Sequence, residues 1–334
     1  MMSKTVRFHE FGGPEVLRFE SLEVGEPGAG EARVRIEAIG LNRAEAAFRS
    51  GQYIERAQLP ARVGYEAAGV IEAVGEGVTG FSASESVCVI PAFSMNKYGV
   101  YAERAIVPAY ALFKRPAGLG TEACAAIWMQ YLTAYGALID IARLGAGDAA
   151  VITAASSSVG LGAIQIANHM GAVSIAVTRT AAKEAELRRL GAAHVIVTEK
   201  QSLDAEVLRI TGGKGAKVAF DPIAGPIVES LGAAMAAGGH LILYGNLSGH
   251  ARDTIFPFGL SMSRRFSMRA YIVFELISDP QRLEKARVFV EEGLGKGWLR
   301  PVIAKTFRFE EIVEAHRYLE SNEQIGKLIV TVPC

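Results

Sequence analysis

Apolar and polar residues alternate through most of the first 120 positions. "ARVRIEAIGLN" (32–42) and "GVIEAVGEGV" (69–78) read as half-buried strands, with glycines marking tight turns. "SVCVIPAF" (86–93) and "VYAERAIVP" (100–108) continue the alternation, which predicts a mostly antiparallel β domain or barrel. Near residue 121 the period changes. "TEACAAIWMQYLTAYGALID" (121–140) has helical spacing and predicts one long helix. Beyond it, strands are predicted at 149–154, 173–177, 194–197, 216–220, 239–243 and 268–272. The helical segments "AAKEAELRRLGA", "SLDAEVLRITGG" and "GPIVESLGAAMAAGG" lie between them, each closed by glycine. Strands alternating with helices imply a parallel, doubly wound sheet. One more helix is predicted in "PQRLEKARVFVEEGLGKG", and the tail returns to strand, helix and strand in "PVIAKTFRF", "EEIVEAHRYLES" and "GKLIVTV". The pattern is an α/β domain inserted into a β-rich domain whose last strands come from the C-terminal end.

Bulk properties narrow the function classes. A chain of 334 residues is long enough for about two domains at ~150 residues each. Lys plus Arg equals Asp plus Glu, 35 each, which argues against a nucleic-acid or membrane-surface binder. No run of ~18 apolar residues is present, and no charged-then-apolar stretch opens the sequence. The three cysteines, Cys88, Cys124 and Cys334, are odd in number and far apart in sequence. They suggest a reducing compartment and no thiolate cluster for a metal. The six histidines are scattered, and each reads as a surface or partly buried residue. A cytoplasmic protein is expected.

The stretch "DAAVITAASSSVGLGAIQIANHMGA" (148–172) carries the first candidate chemistry. An apolar strand runs into small residues and then a helix, the layout of a Rossmann phosphate turn. Such turns use glycines to allow positive φ and to bring backbone N–H groups close to a pyrophosphate. Here Ser156, Ser157, Ser158 and Val159 precede Gly160 and Gly162. Serine is small, and its hydroxyl can donate to a phosphate oxygen, while the helix N-terminus adds partial positive charge. A serine that only caps the helix is the competing reading.

After the second predicted strand the chain reads "AVTRTAAKEAE" (176–186). A site for NAD places a carboxylate about 20 residues past the glycine turn, on the ribose 2′-hydroxyl. This chain has Thr178, Arg179 and Thr180 there, with Lys183 one turn on. A guanidinium and an ammonium suit a 2′-phosphate, so the expected cofactor is NADPH (NADP+). Gly245 and Asn246, after the fifth predicted strand, fall where the carboxyl edge of such a sheet faces its cofactor.

The chain resembles the zinc-free quinone oxidoreductase (zeta-crystallin-like) branch of the medium-chain dehydrogenase/reductase superfamily nearly end to end. The matching pieces include "GLNRAEAAFRSGQY" (40–53), "LPARVGYEAAGVIEAVGEGV" (59–78), "QYLTAYGAL" (130–138), "AASSSVGLGAIQIAN" (154–168), "GKGAKVAFDPIAG" (213–225), "LYGNLSG" (243–249) and "IGKLIVTV" (325–332). The family's A-x-x-G-G-V-G turn is altered here by Ser157 and Ser158. The resemblance implies a doubly wound parallel six-stranded Rossmann sheet over 123–293, inserted in a GroES-like β-barrel catalytic domain formed by 1–122 and 294–334. It implies hydride transfer from NADPH to a quinone or α,β-unsaturated carbonyl, and a homodimer. Zinc members of the superfamily bind catalytic metal through a Cys, the His of a Gly-His-Glu triplet, and a later Cys or Asp. The matching positions here are Asn42 and Gly64-Tyr65-Glu66, with "AIWMQ" near the third, so no metal is expected.

Further roles follow from the resemblance. Tyr53 matches a proton-donating tyrosine of the related enoyl-thioester reductases, or is a loop aromatic over the pocket mouth. Asn42 matches a residue lining the nicotinamide and substrate cleft, and Thr133 one that bonds the nicotinamide amide. Thr198 stands where the family packs a polar residue near the 2′-phosphate. Tyr271 and Val273, in "RAYIVFEL", fall at the nicotinamide end or at a subunit contact, and Lys327 is carried over as a cofactor residue. Trp128 and Met129 line the pocket or belong to the core. An enoyl-thioester reductase and a non-enzymatic NADPH-binding protein are the alternatives. A lack of aromatic-plus-basic stripes speaks against the RNA-binding form of the latter.

Overall fold

The computed structural model describes residues 1–333. The chain forms two compact units: Met1–Met129 with the segment from Pro301 onward, and Gln130–Arg300.

The second unit holds a six-stranded sheet. Its strands are β1 (Ala149–Ile152), β2 (Val173–Thr178), β3 (His194–Val197), β4 (Ala216–Asp221), β5 (Met235–Leu243) and β6 (Ser267–Ala270). They lie in the order β3-β2-β1-β4-β5-β6, all parallel. The order reverses between β1 and β4, and a cofactor binds outside the carboxyl ends of the strands at such a switch point. The inner strands are buried on both faces, so they read as unbroken apolar runs rather than alternating ones. Val151, Ile175, Ile196, Ala219 and Leu241 pack with Val207 and Leu231 from the covering helices.

In the first unit the long strand Glu31–Gly40 is the organiser. It pairs antiparallel with Glu66–Val74, Arg104–Pro108 and Lys327–Thr331. Ile329 lies opposite Gly40, so the C-terminal strand is brought beside the residues that lead into Asn42. Ile303–Arg308 extends this sheet alongside Lys327–Thr331. A separate three-stranded sheet pairs Met2–Phe8 with Arg18–Glu23 and Ala61–Arg62.

The single long helix expected over 121–140 is broken. A short helix, Thr121–Cys124, stops, and a second runs Trp128–Tyr135 before widening into a π-helix at Gly136–Ile141. Both interruptions have a cause. The Glu66 carboxylate accepts the Met129 amide at 2.9 Å, which caps a new helix start at that point. Further on, the Tyr271 hydroxyl donates to the Leu132 carbonyl at 3.5 Å. A Cβ on Gly136 would sit 1.9 Å from that hydroxyl, so only glycine fits. A side chain entering the ladder in this way opens an α-helix into a π turn. Trp128 is fully buried and packs edge-on against Phe113 at 4.5 Å; with Met129 it belongs to the core.

Two smaller expectations also change. Cys88 and Cys124, distant in sequence, are neighbouring free thiols buried in the core; Cys334 lies outside the described residues. His316 is completely buried, bonded to the Tyr101 hydroxyl at 3.3 Å, and burial pushes its pKa down to about 3. It is therefore a neutral core histidine. Among the described residues no helix is long and apolar enough to cross a membrane.

Candidate active site

In the first unit, Asn42 ends the organising strand and caps the helix Arg43–Arg49. Asn42-Arg43-Ala44-Glu45 forms a capping box, a spacing in which cap and carboxylate satisfy each other's amides. Glu45 is wholly buried. Its oxygens accept the Asn42 backbone N–H, the Asn42 Nδ2 at 3.2 Å and the Tyr65 backbone N–H at 3.2 Å. Burial pushes the Glu45 carboxyl up to about 7, against the opposing pull of Lys327 and these donors. The Asn42 Oδ1 accepts from the Lys327 ammonium at 2.6 Å. That ammonium also meets Glu66 Oε2 at 2.6 Å, with both charged side chains fully buried. Asn42, expected in the cleft, is thus fixed in one amide orientation by partners on three sides.

Tyr53 is half-buried in the loop after this helix. Its ring meets Phe48 at 6.3 Å and Tyr65 at 6.2 Å, and the Tyr65 hydroxyl is among the groups that act on its own. Burial pushes the Tyr53 phenol up to about 12 and raises that of Tyr65 further. Both remain protonated at neutral pH, the state an acid needs before it can donate. Lys327, carried over as a cofactor residue, has its charge committed to Asn42 and Glu66 inside the core.

In the second unit, the turn after β1 leads into the helix Ser158–His169. Ala154 adopts positive φ (44°), a conformation glycine normally supplies. Ser157 is the helix N-cap, its Oγ accepting the Gly160 amide at 3.0 Å. The serine hydroxyl therefore serves the helix, and the amides of Ser158 and Val159 form its remaining open positive end. A Cβ on Gly160 would lie 2.7–2.8 Å from the Ala155 backbone, so this glycine is required for close packing of helix on turn.

Ser156 has a different partner. Lys183 reaches back from the segment after β2 and places its Nζ 3.1 Å from Ser156 Oγ. Arg179, at the tip of β2, extends outward with its side chain 86% exposed, its Nε 4.0 Å from Glu199. Thr178 and Thr180 are half-buried beside it, and the Thr178 carbonyl accepts the Thr198 amide at 3.0 Å. Glu199 is an acid that the sequence reading did not place at this tip. It comes from the loop after β3, and its backbone N–H donates to the Arg179 carbonyl at 3.1 Å.

At the carboxyl end of β4 the fully buried Asp221 accepts from the Thr153 hydroxyl and from the amides of Ile223 and Ala224, at 3.1 and 2.6 Å. This holds the turn opposite the serine loop. Burial raises its pKa. Gly245 and Asn246 follow β5 and are exposed at the same edge of the sheet; a Cβ on Gly245 would meet the Pro222 carbonyl at 2.8 Å. Thr133, Tyr271 and Val273 are buried, Tyr271 against the π-helix.

The comparisons with known proteins match this arrangement in both units. Residues 28–117 match the alcohol dehydrogenase GroES-like domain family, and residues 158–291 the zinc-binding dehydrogenase family. A quinone oxidoreductase of Pongo abelii is 30% identical, over 98% of each chain. The chain belongs to the quinone oxidoreductase branch of the medium-chain dehydrogenase/reductase superfamily. A 2-haloacrylate reductase of a Burkholderia species is 29% identical over 96% of this chain and 97% of its own. The Escherichia coli quinone oxidoreductase, solved in complex with NADPH, superposes with a TM-score of 0.91 at 27% identity, covering 98% of this chain and 99% of its own. The fold is that of this family, a GroES-like domain with a six-stranded parallel Rossmann sheet. As a medium-chain dehydrogenase/reductase, the protein is an oxidoreductase of a superfamily that binds NAD(P).

Proposed function

We propose that this quinone oxidoreductase homologue is a zinc-free reductase that uses NADPH to deliver hydride to a quinone or an α,β-unsaturated carbonyl. The observation that carries the reading is the Lys327 ammonium held 2.6 Å from both Asn42 and Glu66. Zinc members place a metal ligand at the position of Asn42 and the triplet acid at that of Glu66. Here a buried cation already stands between the two residues. Asn42 and Tyr65 do not make a zinc donor set, which needs three or four N, S or O ligands. A site without a Lewis acid suits an acceptor that is already electrophilic.

The bound dinucleotide would supply the hydride; the protein positions it and controls the proton. The serine turn fits a pyrophosphate through the amides of Ser158 and Val159 and the paired Ser156 and Lys183 groups. Val159 and Gly160 hold the helix end in place. Arg179, with Thr178, Thr180 and Thr198 around it, fits the 2′-phosphate, while Gly245 and Asn246 face the cofactor from the edge of the sheet. Thr133, Tyr271 and Val273 belong to the nicotinamide end in this reading. Tyr53 donates the proton when the acceptor needs one, and Asn42 orients the acceptor. A quinone can take its protons from water. The related structure solved with NADPH supports the cofactor assignment. An enoyl thioester is the second reading, favoured by the half-buried, protonated Tyr53.

Glu199 bears on cofactor choice. An exposed ion pair contributes about 0–1 kcal/mol, whereas a hydrogen bond to a charged phosphate contributes roughly 1.5–3 kcal/mol. The 2′-phosphate therefore displaces Glu199 from Arg179. Arg179→Ala is expected to weaken NADPH binding about 10- to 150-fold and to leave NADH nearly unchanged. Ser157→Gly is expected to move both affinities together, because the pyrophosphate is common to them. Calorimetric titration of both cofactors decides this; an Arg179→Ala protein that keeps its NADPH preference refutes the assignment.

The protein is also proposed to be a cytoplasmic homodimer. The edge strand β6 is mostly exposed, and Ile255, Phe256, Phe258 and Met262 expose apolar side chains in the segment before it. Light scattering should give twice the chain mass; a single-chain mass at micromolar concentration would contradict it.

A further inference from the structure

Tyr65 has no role in the reading above beyond failing to be a metal ligand, yet it is one of the largest fully buried side chains in the protein. Three observations attach it to Tyr53. The two rings lie 6.2 Å apart, tilted by 57°. The Tyr65 hydroxyl belongs to the immediate surroundings of the Tyr53 hydroxyl. Its backbone N–H donates to Glu45, the same carboxylate that holds Asn42 by its backbone and side-chain amides. One buried acid therefore ties together the residue that would orient the acceptor and the residue that touches the candidate proton donor. Phe93 supports the far side of the Tyr65 ring at 5.8 Å. Tyr65 is fully buried, while Tyr53 is half-buried at the loop.

We propose that Tyr65 is a positioning residue that acts through Tyr53: its O–H donates to the Tyr53 oxygen, aims the Tyr53 proton at the acceptor, and stabilises the phenolate left when that proton departs. The inference rests on the reading of Tyr53 as proton donor. In enone reduction the acceptor gains a hydride at its β-carbon from NADPH, which leaves oxidised as NADP+. The double-bond electrons shift toward the α-carbon. There a C–H bond forms as the Tyr53 O–H bond breaks, and water later reprotonates Tyr53. Tyr65 keeps its own proton throughout. Its donated bond lowers the cost of charge on Tyr53, opposing the desolvation that raises the Tyr53 pKa.

The test is a double-mutant cycle with methyl vinyl ketone and p-benzoquinone as acceptors. Tyr65→Phe keeps the ring and removes only the hydroxyl. One ordinary hydrogen bond corresponds to roughly a 3- to 10-fold change in rate, so kcat for the enone should fall by about that factor and more than for the quinone. Its solvent deuterium isotope effect should rise, because proton transfer becomes more limiting. Adding Tyr65→Phe to Tyr53→Phe should cost nothing further. Thermal unfolding of each variant identifies a folding defect, which would lower both acceptors equally and count against the proposal. If Tyr53→Phe slows the enone but Tyr65→Phe is silent or additive with it, the pairing is wrong while the donor reading stands. If Tyr53→Phe leaves enone reduction unchanged, the donor reading fails and the pairing falls with it.

Discussion

Tyr53→Phe is expected to slow reduction of an α,β-unsaturated ketone by about 10²–10⁴-fold, the usual contribution of a positioned general acid. Quinone reduction should fall much less. The difference comes from the acceptors. Hydride addition to an enone leaves carbanion character at carbon, where protonation by bulk water is slow and poorly oriented. Hydride addition to a quinone leaves charge on oxygen, which water protonates readily. Tyr53 suits the first task. Burial keeps its phenol protonated, pushed up to about 12, while the Tyr65 hydroxyl offsets part of that rise. Steady-state rates with both acceptors and saturating NADPH measure the effect. Equal and small losses for the two would make Tyr53 a packing residue, held by Phe48 and Tyr65 for the shape of its ring.

Lys327→Met is expected to destabilise the protein by roughly 3–5 kcal/mol, the cost of leaving one member of a buried ion pair without the other. The ammonium and the Glu66 carboxylate are both fully buried, at 2.6 Å. Removing the lysine strands the Glu66 charge in the core and frees the Asn42 Oδ1. Glu66 is also the cap that starts the Trp128–Tyr135 helix through the Met129 amide, so the loss reaches that helix. Adding Glu66→Gln should recover part of the stability, because the buried charge is then gone while an amide oxygen still accepts from Met129. Denaturant unfolding of the single and double variants measures this. A loss below about 1 kcal/mol in the single variant would mean that the pair is open to water, as surface pairs are.

The α/β part of the fold was legible because inner parallel strands bury both faces and leave unbroken apolar runs between helices. All six strands were placed by their alternation with helices, with edges moved by a few residues. The first unit was readable only as alternation. Nothing in the sequence shows that the strand at 327–331 lies beside Gly40, since register is a property of the folded pairing. The break at 125–127 was hidden for the same reason. Helical spacing continues through it, and the Glu66 carboxylate that causes it comes from a distant strand. In the site, the serine turn and the base-bearing tip of β2 were visible as local patterns. The capping role of Ser157 was open beforehand and is settled by its bond to the Gly160 amide. Glu199 was missed because it belongs to the next strand's loop and reaches Arg179 only across the sheet edge. Glu45 had a local signal in the Asn-x-x-Glu spacing, but its second attachment, to Tyr65, is long-range.

The central claim is metal-free hydride transfer from NADPH to an acceptor that is already electrophilic. Initial rates of p-benzoquinone and methyl vinyl ketone reduction, with NADPH and with NADH, on protein dialysed against a strong zinc chelator test it most directly. The account predicts turnover of both acceptors, undiminished by the chelator and faster at limiting NADPH than at equal NADH. Activity that vanishes on chelation and returns with zinc, or that favours NADH, would contradict it.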